Sequence, residues 1–364
     1  MSDPRKRVGI IFGGRSSEHD VSILSAKSVI SAMDPNKYLA IPIHITKQGT
    51  WHSACITQLD LPGEAIVLLP GQTTPYRLQS LKKGLNNPID QTLDIIFPLI
   101  HGPFGEDGTL QGLLEMSGIP YVGSGVLSSA LGMDKALMKA IFLHHGLPVV
   151  QHQVVSRNTW QNHPQRVQAT CLAELPLPWF VKPANMGSSV GITKVKQISE
   201  FAKAMDHAAL FDRKILVEAG VSDAREIEIA ILGNEEPQLS VLGEIITHFE
   251  FYDYHAKYLD ESLQLIVPAK VHASTLQTIH EIALKAFFAI DCAGIARVDF
   301  LVRRTDNAVF LSEINTMPGF TNVSMYPKLW QASGLAYPDL IDKLLNLGLQ
   351  YHADKQCNRL LIPV

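Results

Sequence analysis

Cysteine is scarce in this chain. Four occur in 364 residues, Cys55, Cys171, Cys292 and Cys357, all more than sixty positions apart and none in a Cys-x-x-Cys pair. That spacing excludes a zinc site or a disulfide frame as the organising device and fits reduced thiols. Long apolar runs are missing too. Nothing approaches the about 18 consecutive apolar residues of a membrane-spanning helix, and the run Val8 to Phe12 stops at Gly13-Gly14, too short for the core of a secretion signal. A cytoplasmic protein with no membrane partner is the expectation. Lys plus Arg number 31 and Asp plus Glu 35, so the net charge is 31 − 35 = −4. That balance argues against a nucleic-acid coat. Charged residues make up 18% and hydrophobic residues 46%, which excludes disorder as the main state. The dinucleotide fingerprint G-x-G-x-x-G and the phosphate loop G-x-x-x-x-G-K-[ST] are both absent. A nucleotide, if one binds, is held by another architecture.

At about 150 residues per domain, the length predicts two or three domains. Arg7 to Phe12, Leu39 to Thr46 and Leu93 to Leu99 read as strands, with a helical pattern at Ser22 to Met33. This alternation predicts a parallel α/β sheet, with Leu59 to Pro75 and Lys82 to Asp90 as loops. Ser124 to His145 reads as one helix. From Pro148 strands dominate, around the single helix Gln197 to Ala208, and the last third adds helices at Ala273 to Phe288 and Tyr337 to Gln350. Three α/β or α+β domains follow, 1–123, 124–221 and 222–364.

Glu18-His19 follows the glycine turn at a helix start, and His101 to Gly108 follows a strand end; open α/β sheets bind ligands at such strand ends. Taken alone, Glu18 is a helix N-terminal charge and His101 a loop polar residue. Together they suggest a pocket for a small charged amine. Lys182 ends the apolar strand Phe180-Val181-Lys182, and the small-residue loop Gly187-Ser188-Ser189 follows, so backbone N–H groups, hydroxyls and an ammonium can close over phosphate. Lys135 opens a helix, where its charge opposes the dipole unless an anion lies near. Ile215 to Glu218, with Ala219-Gly220-Val221, predicts a hinge whose backbone can read an adenine edge.

Arg297-Val298-Asp299-Phe300 and Glu313-Ile314-Asn315 carry the sharpest signal. Strand alternation puts Arg297 with Asp299 and Glu313 with Asn315. If the strands pair, two carboxylates and a carboxamide converge, an oxygen set suited to Mg2+ on phosphates. A plain Arg297–Asp299 salt bridge is the alternative. The loop Thr316 to Ser324 begins where this strand ends, and the Gly319 N–H with Arg297 could stabilise an oxyanion.

In this order the motifs resemble those of the ATP-grasp superfamily, and within it the D-alanine:D-alanine ligase family. They are Phe12 to Glu18, His101-Gly102 with Gly105 to Gly108, Met133-Asp134-Lys135, Val181 to Pro183 with Gly187 to Gly191, Tyr252 to Tyr258, Arg297 to Phe300 and Glu313 to Gly319. The resemblance implies an ATP-grasp fold behind an N-terminal Rossmann-like parallel sheet. It implies ATP as substrate, held by Lys135, Lys182, Ser188, Ser189, Glu218, Ala219, Val221, Glu226 and Lys257. Asp299, Glu313 and Asn315 would hold two Mg2+ or Mn2+. Glu18 and His101 would receive the first D-alanine, Lys257 and Ser324 the carboxylate of the second, and Arg297 with Gly319 the oxyanion. Tyr258 would link to Glu18 and Ser188 and close the loop His248 to Leu263 over the site; ligases that make D-alanyl-D-lactate depart from tyrosine there. The implied product is D-alanyl-D-alanine for peptidoglycan, made in a bacterial cytoplasm by a homodimer. A glutathione-synthetase-like ligase and a non-catalytic nucleotide-binding regulator are the rivals.

Overall fold

The run Val8 to Phe12 becomes the centre of the first sheet, and its apolar side chains are fully buried. The computed structural model describes residues 3–70, 76–81, 88–246 and 264–358. Its first part contains β1 (Lys6–Gly13), α1 (His19–Ala32), β2 (Tyr38–Ile45), β3 (Trp51–Cys55), β4 (Gln58–Leu68), β5 (Tyr76–Ser80), β6 (Pro88–Leu93) and β7 (Ile95–Pro98). The strand order is β6-β5-β4-β3-β2-β1-β7. β1 pairs in parallel with β2 and β7, which explains its unbroken apolar run, because a parallel strand is covered on both faces.

The parallel α/β sheet expected from the alternation is present at β2-β1-β7, and the remaining strands extend it antiparallel. β2 to β6 form an antiparallel meander. The stretch read as a loop from Leu59 is largely β4. Its Pro62 and Gly63 signalled a turn but sit at a register shift against β3, where a Cβ on Gly63 would lie 2.8 Å from the Ser53 carbonyl oxygen. Of the stretch Lys82 to Asp90, residues 82–87 lie outside the described residues, and β6 begins at Pro88.

α2 (Thr109–Ser117), α3 (Val126–Met133) and α4 (Lys135–His144) follow. The single helix expected over Ser124 to His145 is thus two, divided at Asp134, whose carboxylate accepts from the Ala136 and Leu137 N–H groups at 3.1 Å each. The second sheet contains β8 (His152–Ser156), β9 (Trp179–Pro183), β10 (Thr193–Val195) and β11 (Lys214–Ala219), antiparallel in the order β10-β9-β11-β8. α5 (Arg157–Asn162), α6 (Pro164–Glu174) and α7 (Phe201–Phe211) accompany it. The first two of these helices escaped the periodicity, since they bury only Trp160, Val167 and Cys171. Trp160, Trp179 and Phe201 pack edge to face in the core beneath.

The third sheet contains β12 (Ala224–Gly233), β13 (Gln238–Ile246), β14 (Gln264–Ile266), β15 (Gly294–Arg303) and β16 (Val309–Asn315), in the order β14-β13-β12-β15-β16. α8 (Ala273–Ala289) buries Ile279, Ala283, Ala286 and Phe287 against one face of it. α9 (Met325–Ala332) and α10 (Tyr337–Lys355) complete the chain. Leu340, Ile341, Leu344 and Leu345 of α10 join one core with Ile95 and Phe97 of β7 and Ile295 of β15. The final helix therefore fastens the third sheet to the first.

Candidate active site

The second and third sheets face each other across a cleft of about 380 Å³. Lys182 ends β9 and Glu218 lies on the neighbouring β11, so the strand pairing brings their side chains together. Glu218 Oε2 is held by Lys182, and its Oε1 lies 2.8 Å from Lys139 Nζ. Burial alone would raise the Glu218 carboxyl; the Lys139 and Lys182 ammoniums outweigh it and hold the group at about 2. The anion expected beside Lys182 is thus supplied by the protein. Lys139 itself was not singled out in the sequence, although it lies one helical turn from Lys135.

Lys135 starts α4, and the conflict with the helix dipole is relieved by Asp134, the N-cap, which also pairs with Lys214. Its ammonium donates to the Met186 carbonyl at 2.9 Å and lies 3.5 Å from Glu313 Oε2. Ser189, Ala219, Val221 and Glu226 line the same cleft, as expected for a nucleotide site, together with Phe180 and Lys194, which the sequence reading did not select. Lys194 Nζ lies 5.9 Å from the centre of the Phe180 ring.

The floor is the pairing anticipated from alternation. β15 and β16 run antiparallel with Arg297 opposite Asn315 and Asp299 opposite Glu313. The salt bridge weighed as the alternative is present: Arg297 donates to both Asp299 oxygens at 2.7 Å. Asn315 Nδ2 donates to Asp299 Oδ2 at 3.1 Å, and Glu313 lies opposite Asp299 in the register, so the three residues are neighbours on paired strands. A further acid, Glu228 on β12, sits opposite Asp299 and lies 3.1 Å from Arg297 Nε. Burial opposes the Arg297 charge, but Asp299 and Glu228 more than compensate, and the guanidinium stays charged. Among the described residues no group of three or more His, Cys, Asp or Glu is placed to hold a metal ion. A cation here would draw on Asp299, Glu313, the Asn315 amide and phosphate oxygens, a hard oxygen set.

The cleft continues into a smaller cavity of about 170 Å³ that holds the amino-acid candidates Glu18, His101, Ser188, Arg297, Gly319 and Ser324. Glu18 is buried, and Ser188 Oγ donates to its Oε1. Glycines flank this carboxylate closely: a Cβ on Gly102, which adopts φ of 73°, would lie 2.7 Å, and on Gly187 2.6 Å, from Glu18 Oε2, so the glutamate would have to shift. Ser188 and Ser189 adopt φ of 46° and 58°, left-handed values that store strain in a non-glycine residue. The buried His101 ring meets Ser25 Oγ at 3.0 Å through Nε2, and burial, against the pull of Glu18, lowers its pKa. Glu106 lies beside Glu18 and accepts from the Gly102 N–H at 2.7 Å. Burial and the Glu18 charge raise its carboxyl to about 8. The loop after β16 is tight, since a Cβ on Gly319 would lie 2.9 Å from Ser324 Oγ, which the Thr321 N–H engages at 3.0 Å. Ser25 and Glu228 escaped sequence reading because only tertiary contacts single them out, and Glu106 stood inside the motif Gly105 to Gly108 without a role of its own. Lys257, Tyr258 and the segment His248 to Leu263, expected to close over the site, lie outside the described residues.

Two antiparallel sheets closing on a lysine-lined cleft with an acidic floor, behind an α/β sheet, define an ATP-grasp protein. The comparisons carry this further. The family model described as D-ala D-ala ligase N-terminus matches residues 7–124, and that described as D-ala D-ala ligase C-terminus matches residues 141–346. A D-alanine–D-alanine ligase of Geobacillus kaustophilus is 46% identical, with 97% of each chain covered. One from Chloroherpeton thalassium is 42% identical over 98% of this chain and 100% of its own. Among solved structures, the D-alanine-D-alanine ligase from Coxiella burnetii has a TM-score of 0.82 at 35% identity, with 97% of each chain covered. The VanG D-Ala:D-Ser ligase from Enterococcus faecalis has a TM-score of 0.83 at 32% identity, over 94% of this chain and 99% of that one. The chain belongs to the D-alanine–D-alanine ligase family.

Proposed function

We propose that this chain uses ATP to join two D-alanine molecules into D-alanyl-D-alanine, a peptidoglycan precursor, with release of ADP and phosphate. The observation that carries the reading is the arrangement of Lys135 and Lys182 around one end of a cleft whose floor is Asp299, Glu313 and Asn315, while Glu18 and Ser188 meet at its other end. ATP lies with its phosphates toward the lysines and the Ser188-Ser189 loop, and its base toward Glu218, Ala219 and Val221; Glu226 takes the ribose. Asp299, Glu313 and Asn315 would hold two Mg2+ or Mn2+, which would supply positive charge to the phosphate oxygens.

Glu18 receives the ammonium of the first D-alanine near a neutral His101. The carboxylate oxygen of that D-alanine forms a bond to the γ-phosphorus as the bond to ADP breaks, giving an acyl phosphate. The neutral amine of the second D-alanine, held at its carboxylate by Lys257 and Ser324, then attacks the acyl carbon. Arg297 and the Gly319 N–H receive the oxyanion, and phosphate leaves as the amine loses its proton. By the family resemblance Lys257 would also serve the nucleotide, and Tyr258 would link to Glu18 and Ser188. Three domains, 1–123, 124–221 and 222–364, fit the three sheets, and the resemblance supports a homodimer in a bacterial cytoplasm.

Incubation with ATP, Mg2+ and D- or L-alanine tests this. Phosphate and dipeptide are expected in equal amounts with the D enantiomer alone. Equal phosphate release with L-alanine would overturn the assignment.

A further inference from the structure

Lys139 lies on α4 one turn beyond Lys135 and is 1% exposed. Its ammonium is 2.8 Å from Glu218 Oε1 and donates to the Ser312 carbonyl at 3.1 Å. The lining of the nucleotide cleft includes Lys182 and Glu218 but not Lys139. A buried ammonium is costly unless paired, and an aliphatic side chain could fill this space without that cost. The retained charge therefore needs an account beyond packing.

We infer that Lys139 is a positioning residue for nucleotide binding: by holding one oxygen of Glu218, it keeps that carboxylate from neutralising Lys182, whose ammonium stays available to phosphate. The inference rests on reading the cleft as a nucleotide site. Burial lowers the Lys139 pKa and the Glu218 carboxylate opposes that shift; with both amines protonated, two ammoniums share one carboxylate, the set carries one net positive charge, and Lys182 is the lysine of the two that faces the cleft. Without Lys139, Glu218 and Lys182 form an isolated neutral pair. In surroundings of low dielectric such a pair is strong, and both oxygens of Glu218 can turn to the one remaining partner. Lys182 is then held back from the phosphates, and the set loses its one excess positive charge.

The test uses the full chain and ADP as the probe, with affinity measured by titration calorimetry. Lys139→Met, which keeps the length of the side chain, is expected to weaken ADP binding tenfold or more and to raise KM for ATP by a similar factor. The kcat at saturating ATP and KM for D-alanine should stay within threefold. A residue that merely fills the core would not produce this split. In a Glu218→Gln background the same substitution should cost less than threefold, because no carboxylate remains to neutralise Lys182. Unchanged ADP affinity in Lys139→Met, or an equal tenfold loss in both backgrounds, would overturn the inference. If Lys139→Met does not fold alone, the double variant measured against Glu218→Gln decides: similar affinity supports the role and a tenfold loss contradicts it. Failure of the unaltered chain to bind ADP would overturn the nucleotide reading itself, whereas bound ADP with an indifferent Lys139→Met removes only the positioning role.

Discussion

The two ends of the cleft treat a glutamate in opposite ways. Glu218, at the nucleotide end, is held at about 2 although burial alone would raise it, because two lysines share its carboxylate. Glu106, at the amino-acid end, is pushed to about 8 by burial and by the neighbouring Glu18. Depth does not decide the charge of a side chain here; its neighbours do. At the nucleotide end two lysines meet one glutamate, so that local set holds one more positive than negative charge above an acidic floor. The amino-acid end crowds two acids, which favours the arrival of an ammonium and lets Glu106 carry a proton until one does.

The largest effect should come from the floor that both ends share. Glu313→Gln is expected to lower turnover by more than about a hundredfold, with little change in thermal stability, since the carboxylate serves charge in the cleft and not the core. An active variant would place the cations elsewhere. At the amino-acid end, Glu18→Gln should raise KM for D-alanine by roughly the tenfold or more expected for a lost charge-assisted pair and leave ADP affinity alone. A fall in ADP affinity of equal size would erase the division between the ends. Gly187→Ala should act on the same carboxylate more gently, because its Cβ would meet Glu18 Oε2 at 2.6 Å and the side chain must shift. A KM increase smaller than that of Glu18→Gln is expected from steady-state kinetics, and an unchanged KM would show that the close approach is not needed.

The smallest effect is a pH dependence of stability. Glu106 holds its proton up to about 8 in the fold but only to its ordinary 4.5 when unfolded, so the folded state binds more protons in that window. Its contribution to stability is therefore present below 4.5 and is lost as pH rises toward 8. Glu218 works the other way: its contribution is present above 4.5 and is lost as pH falls toward 2. Melting temperatures of the unaltered chain and Glu106→Gln should diverge in favour of the variant between pH 5 and 9, by more than roughly 2 °C. A constant gap would mean that Glu106 carries an ordinary carboxyl.

What could be read from the sequence follows the regularity of the backbone. Asp299, Glu313 and Asn315 lie on strands, where alternation fixes the face, so their convergence needed only the assumption that two adjacent strands pair. β1 was legible for a related reason, as a parallel strand covered on both faces. β4 was not, because Pro62 and Gly63 signal a turn until the close approach of β3 is known. Lys139 was hidden by its helix: Lys at that spacing usually means a solvated face, and only the position of Glu218, 79 residues later, shows that it is buried. The link from Ser188 to Glu18 spans 170 residues and no local pattern encodes it; the family resemblance joined the two only through Tyr258.

Diffraction from crystals grown with Mn2+ and a non-hydrolysable ATP analogue tests the shared floor most directly. Anomalous peaks bounded by Asp299, Glu313 and Asn315, with the triphosphate running between them and the ammoniums of Lys135 and Lys182, are the expected result. Manganese bound away from those side chains, or a triphosphate lying outside the reach of both lysines, would contradict it.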